Sequence, residues 1–207
     1  MTRWVQWTIP PLEANMSILI FGLVLFLGIH SVRIVADDAR SRFIASRGAG
    51  AWKGLYSLVS GIGLAAIIWG YSIARTQPVV LWAPIPGMRH LAALLVLLAF
   101  ILLAAAYVPG NGIKARLHHP MVLSVKVWAL AHLLANHTLA SLLMFGGFLV
   151  WAVLSFRAAR QRDRAGGTVT APGRPLPSVI TVLVGAAAWY GFAFWVHGAW
   201  LGVRPLG

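Results

Sequence analysis

Six apolar runs follow one another along this chain, each close to the roughly 20 residues that a helix needs to cross the ~30 Å hydrocarbon core of a bilayer. They cover residues 17–34, 52–73, 88–108, 120–136, 138–156 and 177–201. Backbone groups in lipid find no water, so each run must satisfy its own N–H and C=O groups as a helix. The sequence therefore predicts an all-α polytopic membrane protein, a bundle of six transmembrane helices. Its 207 residues are 59% hydrophobic and 10% charged, with a mean hydropathy of +0.80, too apolar for a water-soluble domain of this length.

The breaks between runs carry turn and charge signals. They lie at residues 40–50, in the Pro78, Pro84, Pro86 and Gly87 cluster, at Pro109-Gly110-Asn111-Gly112, and in a polar tract at 160–175. Only Asn136-His137 separates the fourth run from the fifth, which predicts a tight antiparallel hairpin. Residues 1–15 read as an N-terminal extension, with Met16 as an alternative start, ahead of a domain at 16–207 that contains a basic cytoplasmic linker at about 157–176. The stretch 18–29 resembles a signal-peptide core but lacks the flanking charge and the small-residue cleavage site, so it is read as the first span.

The 17 lysines and arginines are unevenly shared between the loops. Arg33, Arg40, Arg42, Arg47, Lys53, Lys114, Arg116, Arg157, Arg160, Arg162, Arg164 and Arg174 fall on one side of the six-span path. Arg3, Arg75, Arg89 and Arg204 fall on the other, and Lys126 lies within a span. Positive residues favour the cytoplasmic side, so the odd loops are expected in the cytoplasm and both termini outside, which for a bacterial inner membrane is the periplasm. The same rule accounts for the net charge of +13 through membrane orientation. Lipid is the expected partner, and nucleic acid is not.

Several chemistries are closed. The absence of cysteine excludes thiolate-bound haem, iron–sulfur clusters and cysteine nucleophiles. The four acids, Glu13, Asp37, Asp38 and Asp163, all lie outside the apolar runs, which excludes carboxylate dyads and carboxylate metal cages within the membrane.

Ionisable residues inside spans are costly, and their default reading is functional. Here they are His30, Lys126 and His132. At 100° per residue, Ser124, Trp128, His132 and Asn136 form one stripe, while His119 and Lys126 share another face. Arg33 follows His30 by one turn. A bland reading makes these polar edges glue between helices. The functional reading is haem b between two histidines, with basic side chains for its propionates; neutral imidazole is a good axial ligand. A zinc or copper site drawn from His90, His132, His137 and His197 is the other metal chemistry open to these residues. His119, before Pro120, is placed to cap the fourth span. Ser57, Gly61, Gly63, Gly70 and Gly146-Gly147 read as close-approach points between helices.

The segments Leu27-Gly-Ile-His-Ser-Val-Arg33, Trp52-Lys-Gly-Leu-Tyr-Ser-Leu-Val-Ser60, Tyr107-Val-Pro-Gly-Asn111, His119-Pro-Met121, Lys126-Val-Trp-Ala-Leu-Ala-His-Leu-Leu-Ala-Asn136 and Leu142-Leu-Met-Phe-Gly-Gly-Phe-Leu-Val-Trp-Ala152 together resemble the NnrU family. That resemblance implies a multi-pass protein of the bacterial inner membrane associated with denitrification and nitric oxide metabolism, with denitrification proteins as partners. The family is similar in turn to zeta-carotene isomerase, a haem b membrane enzyme with two histidine ligands. Its pattern falls on His30-Ser31 and on Trp128-Ala-Leu-Ala-His132, which implies His30 and His132 as axial ligands. Arg33 and Lys126 would then serve the propionates, with Trp128 and Asn136 beside the group. His119 is the runner-up ligand, because His30 and His132 are expected at different depths in their spans. The alternatives are a haem-dependent cis–trans isomerase of a lipophilic polyene and a non-enzymatic membrane scaffold.

Overall fold

The computed structural model describes residues 12–168 and 170–206. Most of the expected N-terminal extension, Arg3 included, lies outside the described residues. The chain folds into α1 (Leu12–Val35), α2 (Asp37–Ala74), α3 (Met88–Tyr107), α4 (Gly112–Leu117), α5 (Pro120–Ala135), α6 (Leu139–Ala165), α7 (Pro175–Gly191), a π-helical turn at Phe192–Val196, and α8 (His197–Leu201). The described residues contain isolated bridges and no strand. This is an all-α polytopic membrane protein. Five stretches are long and apolar enough to cross a bilayer, the last running from Pro175 through the π turn to Leu201. The fourth expected span, α5, has only 16 residues. At 1.5 Å per residue it is about 24 Å long, short of the ~30 Å core.

The expected break at 40–50 is largely helical. Asp37 and Asp38 occupy the first turn of α2, where negative charge complements the helix dipole, and the helix continues through the polar segment. It is interrupted at Gly48, whose φ of 83° is a left-handed conformation open to glycine at little cost. Hydropathy registers such a segment only as a loss of apolar residues. Likewise α6 runs past the apolar limit at residue 156 to Ala165, so the described non-helical chain of the expected linker is confined to 166–168 and 170–174.

The helices pack as two units, residues up to Val79 and residues from Val80 onward. In the first, α1 and α2 lie antiparallel and very close. A Cβ added at Gly70 would meet the Leu19 backbone nitrogen at 2.5 Å, one at Gly22 the Ile67 nitrogen at 2.6 Å, and one at Gly63 the Phe26 nitrogen at 2.7 Å. Gly63 and Gly70 thus act as expected. Gly61 and Gly146 have open space around them and do not mediate close approach.

In the second unit α3 packs on α5 and α7, and α5 on α6. One end is tied by Asn111, whose buried amide donates to the carbonyls of Ala105 and Val108 and accepts from the Lys114 N–H. The Gly112 N–H donates to Ser178 Oγ, and the Arg174 N–H to the Gly110 carbonyl, drawing the start of α7 to the same end. The opposite end is tied by a bridge between Val80 and Thr138 and by the Leu81 N–H donating to the His137 carbonyl. The predicted hairpin is present: α5 stops at Ala135, and Thr138 caps α6 by accepting from the Ser141 N–H. Large side chains such as Leu58, Trp69, Leu94 and Leu183 are more than half exposed, as lipid-facing residues are.

Candidate functional site

His30 and Arg33 sit on α1 in the first unit; Lys126, Trp128, His132 and Asn136 sit on or next to α5 in the second. His30 and His132 are built in the same way. His30 Nδ1 lies 2.6 Å from the Phe26 carbonyl, and its ring stacks on Phe26 at 4.2 Å between centroids and 27° between planes. His132 Nδ1 lies 2.9 Å from the Trp128 carbonyl, and its ring stacks on Phe145 at 4.6 Å and 27°. A carbonyl oxygen can only accept, so in both rings Nδ1 carries the proton and donates it. The neutral ring then presents its lone pair on Nε2, the arrangement found when a histidine binds a metal. A helix supplies this geometry locally, because the carbonyl four residues back lies beside the ring.

Aromatic side chains complete the surroundings. Tyr56 of α2 lies 4.9 Å from the His30 ring. Around His132, Trp128 lies at 5.0 Å and itself meets Phe145 and Phe148 edge-on. Phe26, Tyr56 and Phe145 were not among the expected site residues. Phe26 carries a sequence signal in its position four before His30; Phe145 carries none, since it comes from another helix.

The other expected residues divide by what their polar atoms already do. Asn136 donates its side-chain N–H to the His132 carbonyl at 2.8 Å, and its backbone N–H donates there too, so it caps the end of α5. Lys126, half-buried on α5, has no hydrogen bond or ion pair among the described residues. Arg33 is exposed near the end of α1. His119 occupies the N-cap position of α5 without capping it. Its Nε2 instead reaches the Asp163 carboxylate at 2.9 Å, and Arg160 joins the same oxygen at 3.2 Å. His119 thus commits its Nε2 to a carboxylate, whereas in His30 and His132 it is Nδ1 that the backbone engages. Spacing along the chain could not reveal this pair, which joins residues 44 apart.

Of the remaining histidines, His90 is exposed. His118 adopts a left-handed turn (φ 65°) at the end of α4, with its Nδ1 3.2 Å from Thr170 Oγ1. His137 Nδ1 is buried without a hydrogen bond among the described residues. His197 has its Nδ1 2.6 Å from the Val203 carbonyl, just beyond the π turn. Among the described residues no three His, Cys, Asp or Glu side chains converge to hold a metal ion. Zinc usually takes three or four protein ligands, so the zinc or copper alternative gains no support.

No curated protein and no solved structure matches the chain. The model of the family described as NnrU protein covers residues 18–205, almost the whole length, and takes in both histidine-bearing helices and the aromatic rings around them. The chain therefore belongs to the NnrU family.

Proposed function

We propose that this NnrU-family membrane protein binds haem b through histidine, His30 and His132 being the candidate ligands, and serves denitrification and nitric oxide metabolism. One observation carries the reading: both histidines have Nδ1 engaged by a backbone carbonyl and a phenylalanine ring stacked on the imidazole, which fixes the tautomer whose lone pair is on Nε2. Haem iron needs one or two axial imidazoles and no cluster of three ligating side chains. Lys126 is the basic side chain best placed to meet a propionate from α5, since a cation in an apolar helix without an ion-pair partner favours an anionic one. Arg33, one turn from His30 on α1, is the second basic candidate by its position. When bound, haem would supply an iron centre able to change oxidation state. The protein's share is to fix the imidazole tautomers and to surround the rings with aromatic, water-excluding walls.

The test is an absorption spectrum of the detergent-purified protein, oxidised and then dithionite-reduced, beside His30→Ala and His132→Ala. The expected result is a haem b spectrum in the wild type that is lost or altered in both variants. A colourless wild type from haem-replete cells would overturn the reading and leave the polar stripes as helix glue. The second reading, cis–trans isomerisation of a polyene, is favoured by the same two histidine segments. Co-expression with a zeta-carotene isomer bearing a central cis bond, followed by pigment chromatography in the dark, separates the two: the haem carrier leaves that isomer unchanged.

A further inference from the structure

At the polar end of α6, Phe156, Arg157, Arg160, Gln161 and Arg164 line an open groove of about 330 Å³. Their spacing of three and four residues puts the basic side chains on one face of the helix. The groove has a defined depth. The apolar part of α6, residues 139–156, is 18 residues and so about 27 Å long, close to the thickness of the hydrocarbon core. Arg157 therefore enters the headgroup layer, and Arg164 follows about 10 Å farther along. Arg157 and Arg164 are exposed and have no acidic partner among the described residues. Arg160 is held in place by Asp163, which offsets part of its charge, and Phe156 supplies an apolar floor on the membrane side.

We propose that this groove binds the headgroup of an anionic phospholipid, its phosphate on the Arg157, Arg160 and Arg164 guanidinium groups and its glycerol and upper acyl chains along Phe156. Guanidinium forks match phosphate oxygens in pairs. Basic clusters at the membrane surface attract anionic lipid, and a free anion would gain nothing from the apolar floor. This goes beyond the general excess of positive charge on one side, because it assigns the lipid to one groove. It does not depend on haem.

The experiment is native mass spectrometry of the full chain in detergent, titrated separately with phosphatidylglycerol and phosphatidylcholine. Phosphatidylglycerol is expected to remain bound at concentrations where phosphatidylcholine does not. In the Arg157→Gln/Arg164→Gln variant its affinity should fall ~25-fold, or ~5-fold per arginine. The Arg42→Gln/Arg47→Gln variant removes the same charge from exposed positions on α2 and should stay within about twofold of wild type. Equal binding of phosphatidylcholine, equal weakening in the α2 variant, or displacement of the lipid by an equal concentration of inorganic phosphate would each overturn the assignment. Folding of both variants is checked by their melting temperatures, and neither change touches a buried residue.

Discussion

An amide buried at the end of a helical unit must find partners for two N–H bonds and an oxygen, and Asn111 finds all of them within the turn that it organises. It is 1% exposed, donates to two carbonyls at the end of α3, and accepts the Lys114 N–H in the first turn of α4. Replacement by alanine strands those carbonyls and removes the cap, at about 1–3 kcal/mol for unsatisfied buried groups and ~1 kcal/mol for the cap. Asn111→Ala is expected to lower the melting temperature in detergent by roughly 5–10 °C; an unchanged melt would mean that the turn is held from elsewhere. His132 makes a different prediction. In His132→Gly the Trp128 carbonyl still faces the space that the imidazole leaves, ready to accept the N–H of a free imidazole. On the proposed haem reading, this variant loses the haem spectrum, and added imidazole at millimolar concentration should restore it. Of these two residues the sequence offers His132 as a functional candidate, because a histidine in an apolar run is conspicuous. Asn111 reads only as part of a turn, since its three bonds depend on how α3 ends and α4 begins.

Among the helices, the small residues of α2 were legible as a class but not as a face. Ser57, Gly61, Gly63 and Gly70 all qualify as points where helices could approach, yet only contact with α1 distinguishes Gly63 and Gly70 from Gly61. A Cβ at Gly63 would press on the backbone of Phe26, which cannot swing aside as a side chain can, and overpacking of this kind costs about 1–3 kcal/mol. Gly63→Ala is therefore expected to melt several degrees below the wild type, while Gly61→Ala melts at or slightly above it because alanine favours the helix. Equal melting of the two would show that α1 shifts freely against α2. Phe26 lies four residues before His30 and stacks on it, so the Gly63 contact and the His30 site share one stretch of α1. Other parts of the elements were hidden for physical reasons. The polar half of α2 and the short α4 leave no hydropathy signal, and the His119–Asp163 pair joins two helices whose register the sequence does not record.

At the scale of the molecule, the open question is whether α5, about 24 Å long, crosses the membrane. The second unit supplies the argument. His119 at the start of α5 meets Asp163 near the end of α6, while the far ends of both helices meet at the Asn136–Thr138 turn. The two therefore run antiparallel along the same path. If α6 crosses, as its apolar length requires, α5 crosses beside it, with local thinning of the bilayer or reach of its polar ends covering the few missing ångströms. Six crossings would place the segments 36–51, 108–119 and 157–174 on one side, the side that carries most of the arginine and lysine. The chain contains no cysteine, so every introduced thiol is the sole reporter of its own side. With a membrane-impermeant maleimide on intact spheroplasts, Gln77→Cys, Ala135→Cys and Gly202→Cys should label. Ser46→Cys, Arg116→Cys and Gln161→Cys should label only after the membrane is opened. Labelling of positions 116 and 135 from the same side would mean that α5 does not cross, and Lys126 and His132 would then lie outside the bilayer, where a half-buried lysine and a stacked histidine need no cofactor to explain them.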